Sequence, residues 1–192
     1  SGIAIYTPDD EVRAFAAAVF PTDGYVTVDV HGARGAFQID RGRLTPEQFA
    51  TALRDLASDA TFDLPDGSGV KLLACASATG GPASAAARLS RALGVEVIAP
   101  DRPLWTTLNG DEFVASAVVV DGNLAPVDPP DGQWHSFQPD NPAVGPPDVP
   151  LGSHAGFFGL WSKRALQKSG TQPNPFIDPT AFRAYVAERK KS

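Results

Sequence analysis

A chain of 192 residues, 43% hydrophobic and 20% charged, is long enough to bury a core of its own, and no run approaches the roughly 18 consecutive apolar residues of a membrane span. A net charge of −6 and a pI near 4.9 argue against a nucleic-acid binder, whose phosphate-tracking surface requires clustered Lys and Arg. The single cysteine, Cys75, excludes an internal disulfide.

The one basic run, Arg189-Lys190-Lys191, reads as a solvated helix end. The chain contains no Met, opens on Ser1-Gly2 and carries no signal-peptide pattern, so it reads as part of a longer protein. Pro8-Asp9-Asp10 then precedes an apolar-periodic stretch over residues 11–19, a short helix with acids at its positive end, stopped by Pro21. Residues 25–30 (YVTVDV) are rich in β-branched side chains and end at His31-Gly32, which predicts a strand with His at its C-terminal edge. Residues 36–40 and 43–44 form a small hairpin around Arg41-Gly42. Thr45-Pro46-Glu47-Gln48 is a helix start: Thr caps, Pro takes the first helical position, and Gln48 returns the capping-box bond. Phe49, Ala52, Leu53 and Leu56 share one face, so that helix runs to about Ser58.

A Gly/Pro loop leads into residues 70–74 (VKLLA), a buried strand with Cys75 at its end. Gly80-Gly81-Pro82 introduces a helix through Ala85, Leu89 and Leu93, stopped by Gly94, and residues 95–100 supply a third strand. Strands alternating with amphipathic helices predict βαβ units and an α/β fold whose mainly parallel sheet is flanked by helices, with the ligand site outside the strands' carboxyl ends. Beyond Pro100, Asn109-Gly110 and Asp121-Gly122 flank residues 113–120, expected as one strand in a hairpin at the sheet margin. Residues 126–150 hold eight prolines, interrupted by Trp134 and Phe137, and are expected to wrap the domain without regular structure. Phe182, Tyr185 and Val186 fit one face of a last helix over residues 178–191. The organisation expected is an α/β domain over 1–122 and a Pro-rich C-terminal extension with terminal helix over 123–192, within the same globule.

The chemistry-bearing residues are His31 and Cys75. A cysteine nucleophile reacts as thiolate, and a neighbouring imidazole takes the thiol proton and later protonates the leaving group. Parallel strands side by side bring their C-terminal ends within one or two spacings of about 4.8 Å, which places the two residues in reach of each other. Gly32 lets a substrate approach the backbone, and its N–H, with that of Cys75, can hold an oxyanion. Read singly, each has a plainer meaning: a free Cys at a strand end is a packing residue, and His-Gly simply ends a strand.

At these residues the chain resembles the caspase, legumain, gingipain and toxin-autoprocessing group of cysteine peptidases, in which one apolar strand ends in His-Gly and a later one in Ala-Cys. Residues 28–32 (VDVHG) and 71–75 (KLLAC) match in order and position, and their interval of 44 residues lies near the roughly 50 of caspases. The resemblance covers residues 24–100 and implies a caspase-like three-layer sandwich with Cys75 as nucleophile, His31 as acid/base, and Gly32 and Cys75 amides as oxyanion hole. It further implies a peptide or protein substrate, the parent chain included, and a processing or effector module of a larger secreted bacterial protein. Residues 73–77 (LACAS) lack the caspase Gln before and the Gly two places after the nucleophile, so Asp specificity is not implied. An acyl transferase or deamidase with the same pair, and a non-catalytic binding or scaffolding domain, are the alternatives.

Asp29 and Asp101 either orient His31, select a basic substrate side chain, or serve as solvated or capping residues. Trp105 floors a substrate pocket or packs in a core. His135, between Trp134 and Phe137, reads as part of an aromatic anchor and His154 as a loop residue. Three scattered His and one Cys have no metal-ligand spacing, and Gly80-Gly81-Pro82 lacks the Lys of a phosphate loop, so no metal or cofactor is expected.

Overall fold

A computed structural model describes residues 2–6, 16, 19–33, 35–39, 42–59, 62–107, 110–140 and 161–163. Its strands are β1 (Gly2–Ile5), β2 (Tyr25–Ala33), β3 (Ala36–Ile39), β4 (Gly42–Leu44), β5 (Gly69–Leu73), β6 (Val97–Pro100), β7 (Leu104–Thr107), β8 (Glu112–Val114), β9 (Ala117–Val120), β10 (Asn123–Pro126), β11 (Trp134–Phe137) and β12 (Trp161–Lys163). The α-helices among the described residues are α1 (Pro46–Ser58) and α2 (Ala85–Leu93).

The start of α1 is held as its sequence dictates. Thr45 accepts from the Gln48 backbone N–H at 3.2 Å and donates its own N–H to the Gln48 side chain at 2.9 Å, satisfying two of the amides that a helix N-terminus leaves open. Helix α2 is capped by Ser84, which accepts from the Ala87 N–H at 3.1 Å, and ends at Gly94 in the left-handed conformation, φ +73. Glu47 of α1 takes two bonds from the Arg88 guanidinium of α2, at 2.9 and 2.6 Å, which hold its carboxyl below the usual range.

Strands β2, β5 and β6 lie side by side and parallel, joined by α1 and α2 as crossovers, and β1 adds parallel to β2. Antiparallel partners extend this centre on both sides: β11 on β6, and the β3–β4 hairpin on β2. The order is β11-β6-β5-β2-β3-β4, with β1 also on β2. The expected mainly parallel sheet is therefore replaced by a mixed one, and antiparallel pairings predominate once the small sheets β12-β7-β8 and β10-β9 are included. The β3–β4 hairpin needs only short connections, whereas each parallel neighbour needs a whole crossover, and β11 returns to the open edge of β6 after β7–β10.

The layering of the described residues follows from two separate clusters. Val26, Val28 and Val30 of β2 and Val70 and Leu72 of β5 pack with Phe49 and Leu53 of α1 and Leu89 and Leu93 of α2 in one core. On the opposite face Leu73 and Cys75 pack with Leu104 and Val114 of the small sheet, so both described helices cover one face and strands cover the other. The side chains along β5 alternate between these two environments, as strand geometry requires.

Residues 113–120, expected as one strand, divide into β8 and β9, which pair with different partners. The Pro-rich segment supplies a ladder-forming strand, β11, because residues 134–137 contain no proline and pair with the edge of β6, while its first residue, Pro126, ends β10. Phe137 is fully buried, as an anchor should be. The helix expected over 11–19 falls almost wholly outside the described residues, and the terminal helix over 178–191 lies outside them.

Between the main sheet and the small one sits a buried ion pair, Lys71–Glu112, with side chains 3% and 4% exposed. Lys71 Nζ also stands 5.7 Å from the centroid of the Trp134 ring. Burial pushes the Glu112 carboxyl above its usual range, against the opposing pull of Lys71. Among the described residues no helix is long and apolar enough to cross a membrane.

Candidate functional site

The ladder between β2 and β5 runs from Tyr25 opposite Gly69 to Asp29 opposite Leu73. The last pair stands two residues before His31 on β2 and two residues before Cys75, which lies in the turn just beyond β5. Alternation along each strand puts Asp29 and His31 on the face shared by Leu73 and Cys75, away from the helices. Both residues thus lie near the carboxyl ends of adjacent parallel strands.

Gly32 explains the closeness of the two segments. A Cβ at this position would collide with the backbone carbonyl of Cys75 and lie 3.0 Å from its nitrogen. The close approach that glycine permits here is that of the Cys75 backbone itself. The next residue, Ala76, is exposed and held at φ +54, a left-handed conformation that costs an L-residue about 1–2 kcal/mol. It is fixed by its own N–H, which donates to the Arg102 carbonyl at 3.0 Å, while Ala78 N–H donates to Pro100 at 2.9 Å. The strained turn aims Cys75 back under β7, where the Leu104 N–H donates to Sγ at 3.4 Å. Cys75 is 8% exposed.

His31 is half-buried at the place where the neighbour of β2 changes. Up to Val30 that neighbour is β1, and from His31 onward it is β3, with Gln38 opposite His31. Tyr6, the residue after β1, fills this corner: its ring meets that of His31 edge-on, centroids 4.7 Å apart at 65°, and its hydroxyl donates to Asp29 Oδ1. Sequence reasoning missed Tyr6, for which an aromatic following a short apolar run is the only signal.

The remaining expected residues are distributed elsewhere. Asp29 is buried and bound to Tyr6. Asp101 lies beyond β6, with Oδ2 3.1 Å from His135 Nε2 and Oδ1 accepting from the Gln133 N–H at 2.8 Å. His135 pairs with Ala99, whose side chain belongs to the helix-side core, so the Asp101–His135 pair lies on the face opposite Cys75. Trp105 is fully buried in the small sheet, stacked 6.4 Å from Phe113, with its indole N–H donating to the Ala115 carbonyl at 3.0 Å. Gly32 is thus packed against the Cys75 backbone and Asp29 is joined to His31 through Tyr6, while Asp101 pairs with His135 on the other face and Trp105 is buried in the small sheet. His154 lies outside the described residues. Among the described residues no group of three His, Cys, Asp or Glu is placed to hold a metal ion.

Residues 2–114 match the model of a family described as a domain of unknown function, DUF8616, and the chain belongs to that family. The matched span includes Tyr6, His31 and Cys75. No curated protein and no solved structure matches the chain. With a mixed sheet and a family of unknown function, the caspase-like, protease and toxin reading drawn from the resemblance is not backed by fold or family.

Proposed function

We propose that in this DUF8616 member His31 and Cys75 form an imidazole–thiol pair that attacks an acyl carbon, an amide or ester carbonyl of a peptide or protein. The observation that supports this reading is the close approach of Gly32 to the Cys75 backbone, just beyond the end of the β2–β5 ladder on adjacent parallel strands. His31 takes the thiol proton as the sulfur bonds to the carbonyl carbon, and the displaced electron pair moves to the oxygen, held by the Gly32 and Cys75 amides. Collapse expels the amine or alcohol, which takes the proton from His31. Water, deprotonated by His31, then splits the thioester and restores the thiol. The strained Ala76 turn supports this assignment, because such backbone outliers concentrate where a side chain must be held for chemistry.

A second reading, Cys75 as packing residue of a non-catalytic domain, is favoured by its contacts with Leu73, Leu104 and Val114. Iodoacetamide labelling of the 192-residue chain separates the two. The pair predicts fast labelling of Cys75 that His31→Ala slows at least tenfold, and an inert Cys75 in both proteins refutes it. Shortening of a peptide substrate, as against release of ammonia or transfer of the acyl group, then defines the reaction.

A further inference from the structure

We propose that Tyr6 is the positioning residue of this pair, setting the imidazole of His31 toward Cys75 from a hydroxyl anchored on the buried carboxylate of Asp29. The inference rests on the His31–Cys75 reading and adds the part that reading lacks, a group that fixes the ring. An imidazole at a sheet edge turns about two side-chain torsions, and proton transfer to sulfur needs one of those orientations.

Three observations carry it. Tyr6 is 4% exposed, although it lies one residue beyond the end of β1, so its ring is held by packing. The edge-on contact at 4.7 Å and 65° is the arrangement in which two rings attract and restrict each other's rotation. The hydroxyl is in turn fixed on Asp29, which stands two residues before His31 on the same face and is 2% exposed. Asp29, Tyr6 and His31 thus form one connected unit on the side of the sheet that carries Cys75. The ladder of β1 on β2, ending with Ile5 opposite Val30, delivers Tyr6 to this corner whatever its side chain.

The test is the pH dependence of Cys75 alkylation in the 192-residue chain, followed by intact mass; the chain has one cysteine, so the mass gain reports it alone. Wild type should show a reactive component well below the range of a free thiol, about pH 8.5, and His31→Ala should lose it. Tyr6→Leu should reduce the rate at pH 6.5 by about tenfold, since small misplacements of a reacting group cost one to two orders of magnitude, while the high-pH limit is kept. Tyr6→Phe keeps the ring, loses the anchor, and should fall between the two. A purely structural role would lower the melting temperature without moving the pH profile. A folded Tyr6→Leu with the wild-type profile overturns the proposal while leaving the pair intact. Should Tyr6→Leu not fold, a wild-type profile in Tyr6→Phe overturns it equally. Identical profiles in wild type and His31→Ala overturn the pair itself, and Tyr6's role with it.

Discussion

Replacing Lys71 by Met should cost about 3–5 kcal/mol, the penalty for stranding the opposite charge of a buried pair. Lys71 and Glu112 are 3% and 4% exposed and join β5 of the main sheet to β8 of the small one, so water cannot take the place of the lost ammonium. In a chain of this length each kcal/mol is worth roughly 2–4 °C, which puts the melting temperature of Lys71→Met roughly 6–20 °C below wild type. The double variant Lys71→Met/Glu112→Leu removes both charges and should recover to within about 1 kcal/mol of wild type, because apolar residues of similar size fill such sites without desolvation cost.

The pH dependence follows from the upward shift of Glu112, caused first by burial. A carboxyl whose folded value lies above its unfolded 4.5 binds a proton more readily in the native state. Its contribution to stability is complete below pH 4.5 and is lost as pH rises through the folded value. Urea denaturation of wild type and Glu112→Gln across pH 4–8 should show the wild-type advantage shrinking as pH rises. In Lys71→Met, where the opposing pull of the ammonium is gone, the penalty should be smaller in acid than at pH 8. A single-variant loss below about 1 kcal/mol, or a double variant no better than the single, would refute the reasoning that this pair clamps the two sheets.

Thr45→Ala removes one bond of the capping box at the start of α1 and should cost about 1 kcal/mol in urea denaturation, with Thr45→Ser near wild type. Gly32→Ala forces a methyl into the Cys75 carbonyl; the two backbones must part, at about 1–3 kcal/mol. Its alkylation rate at pH 6.5 should fall further than that of Gly35→Ala, where an added Cβ meets nothing within 4 Å although φ is +68.

Some of this architecture is written locally in the chain. The Thr45-Pro46-Glu47-Gln48 start, the Gly94 stop and the β-branched run before His31 act through neighbours in sequence, and the helices and strand form where those signals fall. What was not legible is held by partners far away. The four residues of β1 are strand because β2 accepts them, and β11 is strand because β6 has a free edge, in a segment whose prolines advertise irregular structure. The mixed character of the sheet comes from those additions, and hydrophobic alternation does not encode pairing direction.

The site divides the same way. His31 and Cys75 stand out by residue type and strand-end position, each two residues past the last pair of the β2–β5 ladder. Tyr6 was invisible because its meaning depends on where β1 delivers it. Trp105 and Asp101 follow the site in sequence only. Trp105 is a residue of β7 and is buried within the small sheet, and the edge strand β11 holds Asp101 beside His135 on the helix side.

The most direct measurement of the central claim is capture of the acyl intermediate on Cys75. Mixed with p-nitrophenyl acetate at pH 7, the chain should release a burst of nitrophenolate equal to its concentration. It should gain one acetyl group, placed on Cys75 by peptide mapping, with burst and adduct absent from Cys75→Ala and slowed at least tenfold in His31→Ala. An acetyl group elsewhere on the chain, or equal acetylation of Cys75 with and without His31, would contradict the account.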